Sequence, residues 1–353
     1  MHNTLTSPAP PVAVPTPPLA APRRSWQKIV AQYQKSDLRR SLWQVINSFV
    51  PFLGVWVLAY FSLRVSYLLT LALAVVGAGF MMRIFIILHD CGHGSFFKSQ
   101  RANNFLGSLA GIFAFTPYFQ WRHNHAIHHA TAGDLDRRAS WDVPLTYTVR
   151  EYLALPRWHK LLYRLYRHPL ILFGLAPSVL FLVAQRVVTN RVGRREKFSV
   201  IFTNLALLAI FMVLGYYLGF GAVLAVQLPI IIVGATVGVW LFYVQHQFED
   251  TYWEHTGDWE YAQAALQGSS YYKLPKLLQW FSGNIGLHHI HHLSSRIPNY
   301  ALQQCHDDNP EFQQVSTLGL LSSLKCVNLR LWDEETRKLV GFSHLKALSA
   351  TST

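Results

Sequence analysis

Charge is scarce in this chain. Only 14% of its 353 residues are Asp, Glu, Lys or Arg, against roughly a quarter in a typical soluble domain. That shortage excludes a disordered chain, a coiled coil and most soluble enzymes. Acid is scarcer than base, with 18 Asp plus Glu against 31 Lys plus Arg and a formal net charge of +13. Cysteine is nearly absent: Cys91, Cys305 and Cys326 are too few and too scattered for a disulfide framework or a CxxC metal site, so reduced, cytosol-facing chemistry is expected. Residues 1–22 hold seven prolines and no charge. They lack the ordered basic, apolar and small-residue segments of a secretory signal, and their composition predicts a disordered tail over residues 1–25.

Apolar sequence fills the space that charge leaves. Uncharged runs cover Leu42 to Leu63, Tyr67 to Leu88, Val200 to Gly221 and Ala222 to Val244, paired into two hairpins. Each is long enough to cross about 30 Å of hydrocarbon. Two shorter runs, about 105–119 and 169–185, are expected to be interfacial or re-entrant, the second because Pro177 sits in its middle. If only the long runs cross, every basic residue except Arg64 and Arg83 lies on one side. The positive-inside rule makes that side cytoplasmic, with both termini, and Arg83 is expected to snorkel. The basic charge then reads as topology and attraction to anionic lipid headgroups. No nucleic-acid-binding module accompanies it, so nucleic acid is excluded as a partner.

Histidine is the residue in surplus, with 17 copies. The second run ends in His89-Asp90-Cys91-Gly92-His93, and if its helix continues, residues four apart share a face. Further on, His125, His128 and His129 repeat at i, i+3, i+4, as do His288, His291 and His292. All three clusters fall on the cytoplasmic side and can converge. A histidine crowd on a surface would gain only repulsion between partly protonated rings. Imidazole suits iron, copper, zinc and nickel alike, but eight histidines exceed the needs of one tetrahedral ion and can hold two metals. His246, directly after the fourth run, offers a ninth ligand. Ligating histidines pass their second nitrogen to a carboxylate, amide or carbonyl. Asp90, Asn124, Asp134, Asp136, Asp142, Glu249, Asp250 and Asn284 stand near the clusters for that role.

These motifs resemble the membrane fatty acid desaturases, a family marked by three histidine boxes of these spacings on one side of a four-helix membrane unit. The resemblance covers roughly residues 40–340 and includes the stretches Gln245 to Trp253, Gly268 to Pro275 and Arg296 to Tyr300. It implies two non-haem irons on the eight box histidines, with His246 as a further ligand, and leaves His123 and His289 out. It also implies oxygen as co-substrate and a cis double bond placed in a lipid acyl chain. Three residues between His89 and His93 match acyl-lipid desaturases of the delta-12 or omega-6 kind, and His288 departs from the Gln of front-end desaturases. His168-Pro169-Leu170 fails the HPGG haem signature, so electrons are expected from a separate carrier: ferredoxin, flavodoxin or a cytochrome. Trp121, Trp240, Phe242 and Trp280 are expected to line a substrate channel.

The expected fold is therefore all-α: an integral membrane four-helix unit of two transmembrane hairpins, with a cytosolic helical cap carrying a histidine-ligated dimetal site. Residues 26–41 form a basic interfacial segment, 42–340 the membrane domain and 341–353 a C-terminal tail. In a bacterium the membrane would be the plasma membrane. A related di-iron hydroxylase of alkanes, sterols or carotenoids would use the same boxes, and a zinc-binding transporter or sensor the same histidines. Against transport, no run carries paired acidic or His residues at mid-depth.

Overall fold

Each long apolar run becomes one helix in the computed structural model, which describes residues 25–138, 144–189 and 192–346. The tail expected before Ser25, the candidate Asp142 and the last seven residues lie outside the described residues. Helix α1 (Ser25–Ala31) precedes α2 (Leu38–Ser62), whose N-cap Asp37 accepts a hydrogen bond from the Arg40 backbone N–H. After a turn of four residues, α3 (Tyr67–His93) returns beside it. Next come α4 (Gln100–Phe113), α5 (Tyr118–Thr131), α6 (Val149–Ala154) and α7 (Arg157–Tyr166), then a π-helical turn at Leu170–Leu175 leading into α8 (Ala176–Leu182). The second long hairpin is α9 (Arg194–Leu218) and α10 (Phe220–His246). Helices α2, α3, α9 and α10 are long and apolar enough to cross a membrane, and α7 with Leu170–Arg186 forms a pair bent by 52°.

The chain beyond α10 folds over its end as α11 (Tyr261–Gln267), α12 (Lys276–Phe281), α13 (His288–Leu293) and α14 (Asn299–Asp308). Short strands stitch this cap together. β1 (Tyr147–Thr148) pairs in parallel with β4 (Leu331–Asp333), which pairs antiparallel with β5 (Lys338–Val340); β2 (Tyr271–Tyr272) pairs in parallel with β3 (Thr317–Leu318). Arg167, fully buried beside the first sheet, donates to the carbonyls of Leu145 and Leu329 and to Gln247 Oε1. One guanidinium thus ties the end of α10 to the C-terminal segment.

More than half of the α3 apolar window is enclosed, against a third or less in the other long helices. It is the central post, packed on α2, α4 and α10, with Ile84, Ile87, Leu88 and Cys91 fully buried. Arg83 corrects the snorkelling expectation. It is 5% exposed and lies 3.7 Å over the Trp280 ring, donating to Asn47 Oδ1, Ser48 Oγ and the Trp280 carbonyl. Three oxygen acceptors and an aromatic face at that depth satisfy the guanidinium in place.

Two local features set the histidine boxes. Helix α3 runs past Leu88 and stops directly after His93, because Gly94 takes the left-handed conformation (φ 70°) and its N–H caps the Asp90 carbonyl. Helix α5 is then folded back under α3 by a tight turn. There the Thr116 N–H donates to the Gly111 carbonyl at 2.7 Å, and the buried Tyr118 hydroxyl donates to the Cys91 carbonyl at 2.7 Å. A Cβ on Gly111 would stand 2.4 Å from the Thr116 carbonyl oxygen, a backbone atom with nowhere to go. Gly111→Ala is expected to cost about 1–3 kcal/mol, the usual range for overpacking, while Gly174→Ala, with open space at its Cβ, should change little. Thermal unfolding of the two variants in detergent checks this.

Candidate metal centre

Nine imidazoles meet where α3, α5, α10 and α13 converge. His89, His93, His125, His129 and His291 form one group, and His128, His246, His288 and His292 form a second; within each group the candidate ligand atoms all lie within 4.8 Å of one another. The helical period explains the division. At about 100° per residue, positions i and i+4 differ by some 40°, whereas i+3 falls on the other side of i and about 100° from i+4. Thus 89 with 93, 125 with 129 and 288 with 292 each share a group, while His128 and His291 each cross to the other one.

The nitrogens are spaced as ligands around an ion. His125 and His129 approach through Nε2 at 3.1 Å, His129 and His291 at 3.0 Å, His246 and His288 at 3.0 Å, and His128 and His292 at 3.2 Å. Metal–imidazole bonds of about 2.1 Å at right angles would put neighbouring ligands about 3.0 Å apart. Nε2 of His89 and of His93 are buried with no hydrogen-bond partner, an arrangement costly to leave unmade and fitted to a bound metal. The residues present therefore fit a metal in each group.

Burial, with neighbouring imidazoles adding to it, holds the pKa of His125, His128, His129, His288, His291 and His292 well below the usual imidazole range. All six are held neutral, which is the ligating form.

Of the residues expected to orient the imidazoles, Asp90 is in contact with one. Its Oδ1 lies 3.1 Å from His89 Nδ1, and its Oδ2 accepts from the backbone N–H (2.7 Å) and side chain (2.8 Å) of Asn299. Asn299 in turn exchanges hydrogen bonds with Gln44. Sequence reading assigned neither Asn299 nor Gln44 a role; a polar Gln inside the first apolar helix and an Asn after Pro298 were the available signals. His246 Nδ1 faces the Gly268 carbonyl at 3.1 Å, so a backbone group does what a carboxylate was expected to do.

The other candidates have different partners. Asp134 accepts from Arg137, Thr256 and the Asp136 N–H, and Asp136 pairs with His255. Glu249 and Asp250 pair with Lys338. Asn284 donates to the Asn299 carbonyl, supporting the loop that carries α13, and Asn124 is half-buried at a cavity wall. In each acidic case a nearby cation or N–H is the closer partner. His123 is exposed, and His289 is buried against Tyr271 and His306.

An apolar cavity of about 420 Å³ opens onto His89 and His125 of the first group and His288 of the second. Trp121, stacked on His125 at 4.4 Å, and Phe242, 4.9 Å from His128, line it. Trp240 and Trp280 do not. Trp240 packs on Phe173 and Tyr243, and Trp280 carries Arg83 on its face. Instead the walls come from Phe85 and Ile86 of α3, Gly238 and Leu241 of α10, and Leu180 and Phe181 of α8.

Residues 64–318 match the fatty acid desaturase family. A fatty acid desaturase of Bacillus subtilis is 48% identical over 328 residues, 93% of each chain. Two Synechocystis proteins are more distant: an sn-1 acyl-lipid omega-3 desaturase (ferredoxin), 31% identical over 63% of this chain and 62% of that protein, and an sn-1 oleoyl-lipid 12-desaturase, 26% identical over 73% and 71%.

Two outcomes are expected of the centre. Asp90→Ala removes the carboxylate from His89 and should lower metal affinity about 10- to 100-fold, the usual effect of losing such a partner; metal retained after dialysis against a chelator measures it. The six neutral histidines would take up protons on unfolding below the ordinary value of about 6.5. Their stabilising contribution is therefore complete above that pH and lost as pH falls. Metal-free protein should show a falling Tm between pH 7 and pH 5, and a flat profile would contradict the assignment of neutral rings.

Proposed function

This chain belongs to the fatty acid desaturase family and is an enzyme that desaturates fatty acids, and from that premise we propose that it inserts a cis double bond into the acyl chain of a membrane lipid. The observation that carries the reading is the cavity: an apolar slot between candidate membrane-spanning helices that opens onto both histidine groups. Two non-haem irons are the proposed occupants, on His89, His93, His125, His129 and His291 and on His128, His246, His288 and His292. Bound there, they would supply the activation of oxygen that removal of hydrogen from an unactivated methylene requires. The balance is one oxygen, two electrons and two protons taken up, two hydrogens removed from adjacent carbons, and two waters formed.

The chain's own part is placement. Phe85, Trp121 and Phe242 confine the acyl chain so that one pair of carbons faces the histidines. Asp90 and the Gly268 carbonyl fix the rings of His89 and His246. Where its walls are aliphatic and aromatic, along Phe85, Leu180, Phe181 and Leu241, the slot disfavours water. The basic side of the molecule is proposed as cytoplasmic, facing anionic headgroups and a separate electron carrier of the ferredoxin, flavodoxin or cytochrome class; the name of one Synechocystis relative specifies ferredoxin. A delta-12 or omega-6-like position is the finer proposal, supported by the spacing of His89 and His93 and by the 12-desaturase relative.

Expression in a host with saturated and monounsaturated lipids, followed by mass spectrometric location of new double bonds with and without oxygen, tests the reading. Oxygen-dependent unsaturation is expected, and His128→Ala or His291→Ala should abolish it while leaving membrane insertion intact. An added hydroxyl without unsaturation would overturn the desaturase reading in favour of a hydroxylase; a bond elsewhere than delta-12 would correct only the position.

A further inference from the structure

Of the cavity's lining residues on α3 and α10, Met81 and Gly234 lie farthest along their helices from the histidines and are taken as its floor. Met81 on α3 precedes His89 by eight residues, about 12 Å along the helix axis, and Gly234 on α10 precedes His246 by twelve, about 18 Å. Both line the cavity, and they touch: a Cβ on Gly234 would lie 2.2 Å from the Met81 methyl carbon. The glycine leaves a notch, and the methionine arm fills it. One helical turn nearer the histidines, the Met82 methyl takes the same position against Gly238, at 3.1 Å from its would-be Cβ. The lining contributed by α5, which carries His125, and by the segment after α8 includes polar Gln120, Asn124, Gln185 and Thr189. An ester needs hydrogen-bond partners and a terminal methyl does not, so the lipid's carbonyl end belongs beside those residues and its methyl end on the floor.

We propose that the Met81–Gly234 contact is the stop for the methyl end of the acyl chain, and so limits how many carbons extend beyond the pair that is oxidised. The inference rests on the acyl-chain reading above and adds the residues that set its register. Met81 and Gly234 act by position and touch no reacting atom. Methionine suits such a stop because its unbranched, adaptable arm conforms to a chain terminus.

Two substitutions move the floor in opposite directions. Met81→Ala removes the three-atom Cγ–Sδ–Cε arm and should raise the number of carbons on the methyl side of the new double bond by up to about three, one per atom lost. Gly234→Ala should lower that number, since its Cβ displaces the Met81 methyl; the displaced atom is the free end of a flexible side chain, so the variant is expected to fold. Mass spectrometric location of double bonds across acyl chains of graded length reads both. A second measurement needs no turnover. Phosphatidylglycerol carrying a diazirine at the methyl end of one chain is photolysed with the full-length protein in vesicles, and adducts are expected in the peptides around Met81 and Gly234. Unchanged methyl-side counts in both variants of an active enzyme, or adducts at Gln120 and Thr189 instead, would overturn the stop. Floor adducts with a wild-type protein that forms no double bond would support the stop and discard the desaturase reading.

Discussion

One buried carboxylate connects the parts on which the centre depends. Asp90, 2% exposed, holds His89 through one oxygen and Asn299 through the other. Through Asn299 it reaches Gln44 on α2 and Asn284 before α13. Two candidate membrane helices and the cap that carries the third histidine box are thus joined at a single point. A buried carboxylate is tolerable only when its oxygens are fully engaged, so cap and membrane unit must dock together for it to be satisfied. That requirement makes the position of the first box conditional on that of the third.

The histidines impose the opposite demand. Nine imidazoles crowd into two groups, and burial keeps those of α5 and α13 neutral. Buried nitrogens without a hydrogen-bond partner, such as Nε2 of His89 and of His93, are unfavourable alone and favourable around a metal. The same enclosure supplies the substrate side. α3 presents His89 and His93 at its end and Met81, Met82 and Phe85 further along, so one helix both offers ligands and builds the wall of the cavity. The depth of the slot and the place of the chemistry are measured along the same rod.

The four long helices were legible because about twenty uncharged residues in sequence have few other stable arrangements. The histidine clusters were legible because three spaced boxes are hard to account for otherwise. Carboxylates were not. Asp134, Asp136, Glu249 and Asp250 stand near histidines in the chain, yet Arg137, Thr256, His255 and Lys338 hold them. Hydrogen-bond partners are decided within about 3 Å, which adjacency in sequence does not resolve. Trp240 and Trp280 failed as channel residues for a similar reason: an aromatic ring beside a box faces whichever neighbour the helix rotation gives it. Arg83 found acceptors on α2 and α12 that only the packed helices bring within reach.

By itself the sequence determined a membrane-embedded chain with three histidine boxes, since hydropathy and spacing are local properties that survive any packing. Even the sharing of ligands between two groups follows from the helical period once each box is known to be helical. Tertiary structure decided what is not local: that Asp90 of the first box grips the segment after the third, that a backbone carbonyl orients His246, and that Met81 meets Gly234 below the histidines. Each joins residues far apart in the chain, and only the close packing of α2, α3, α10 and the cap brings such groups within contact distance.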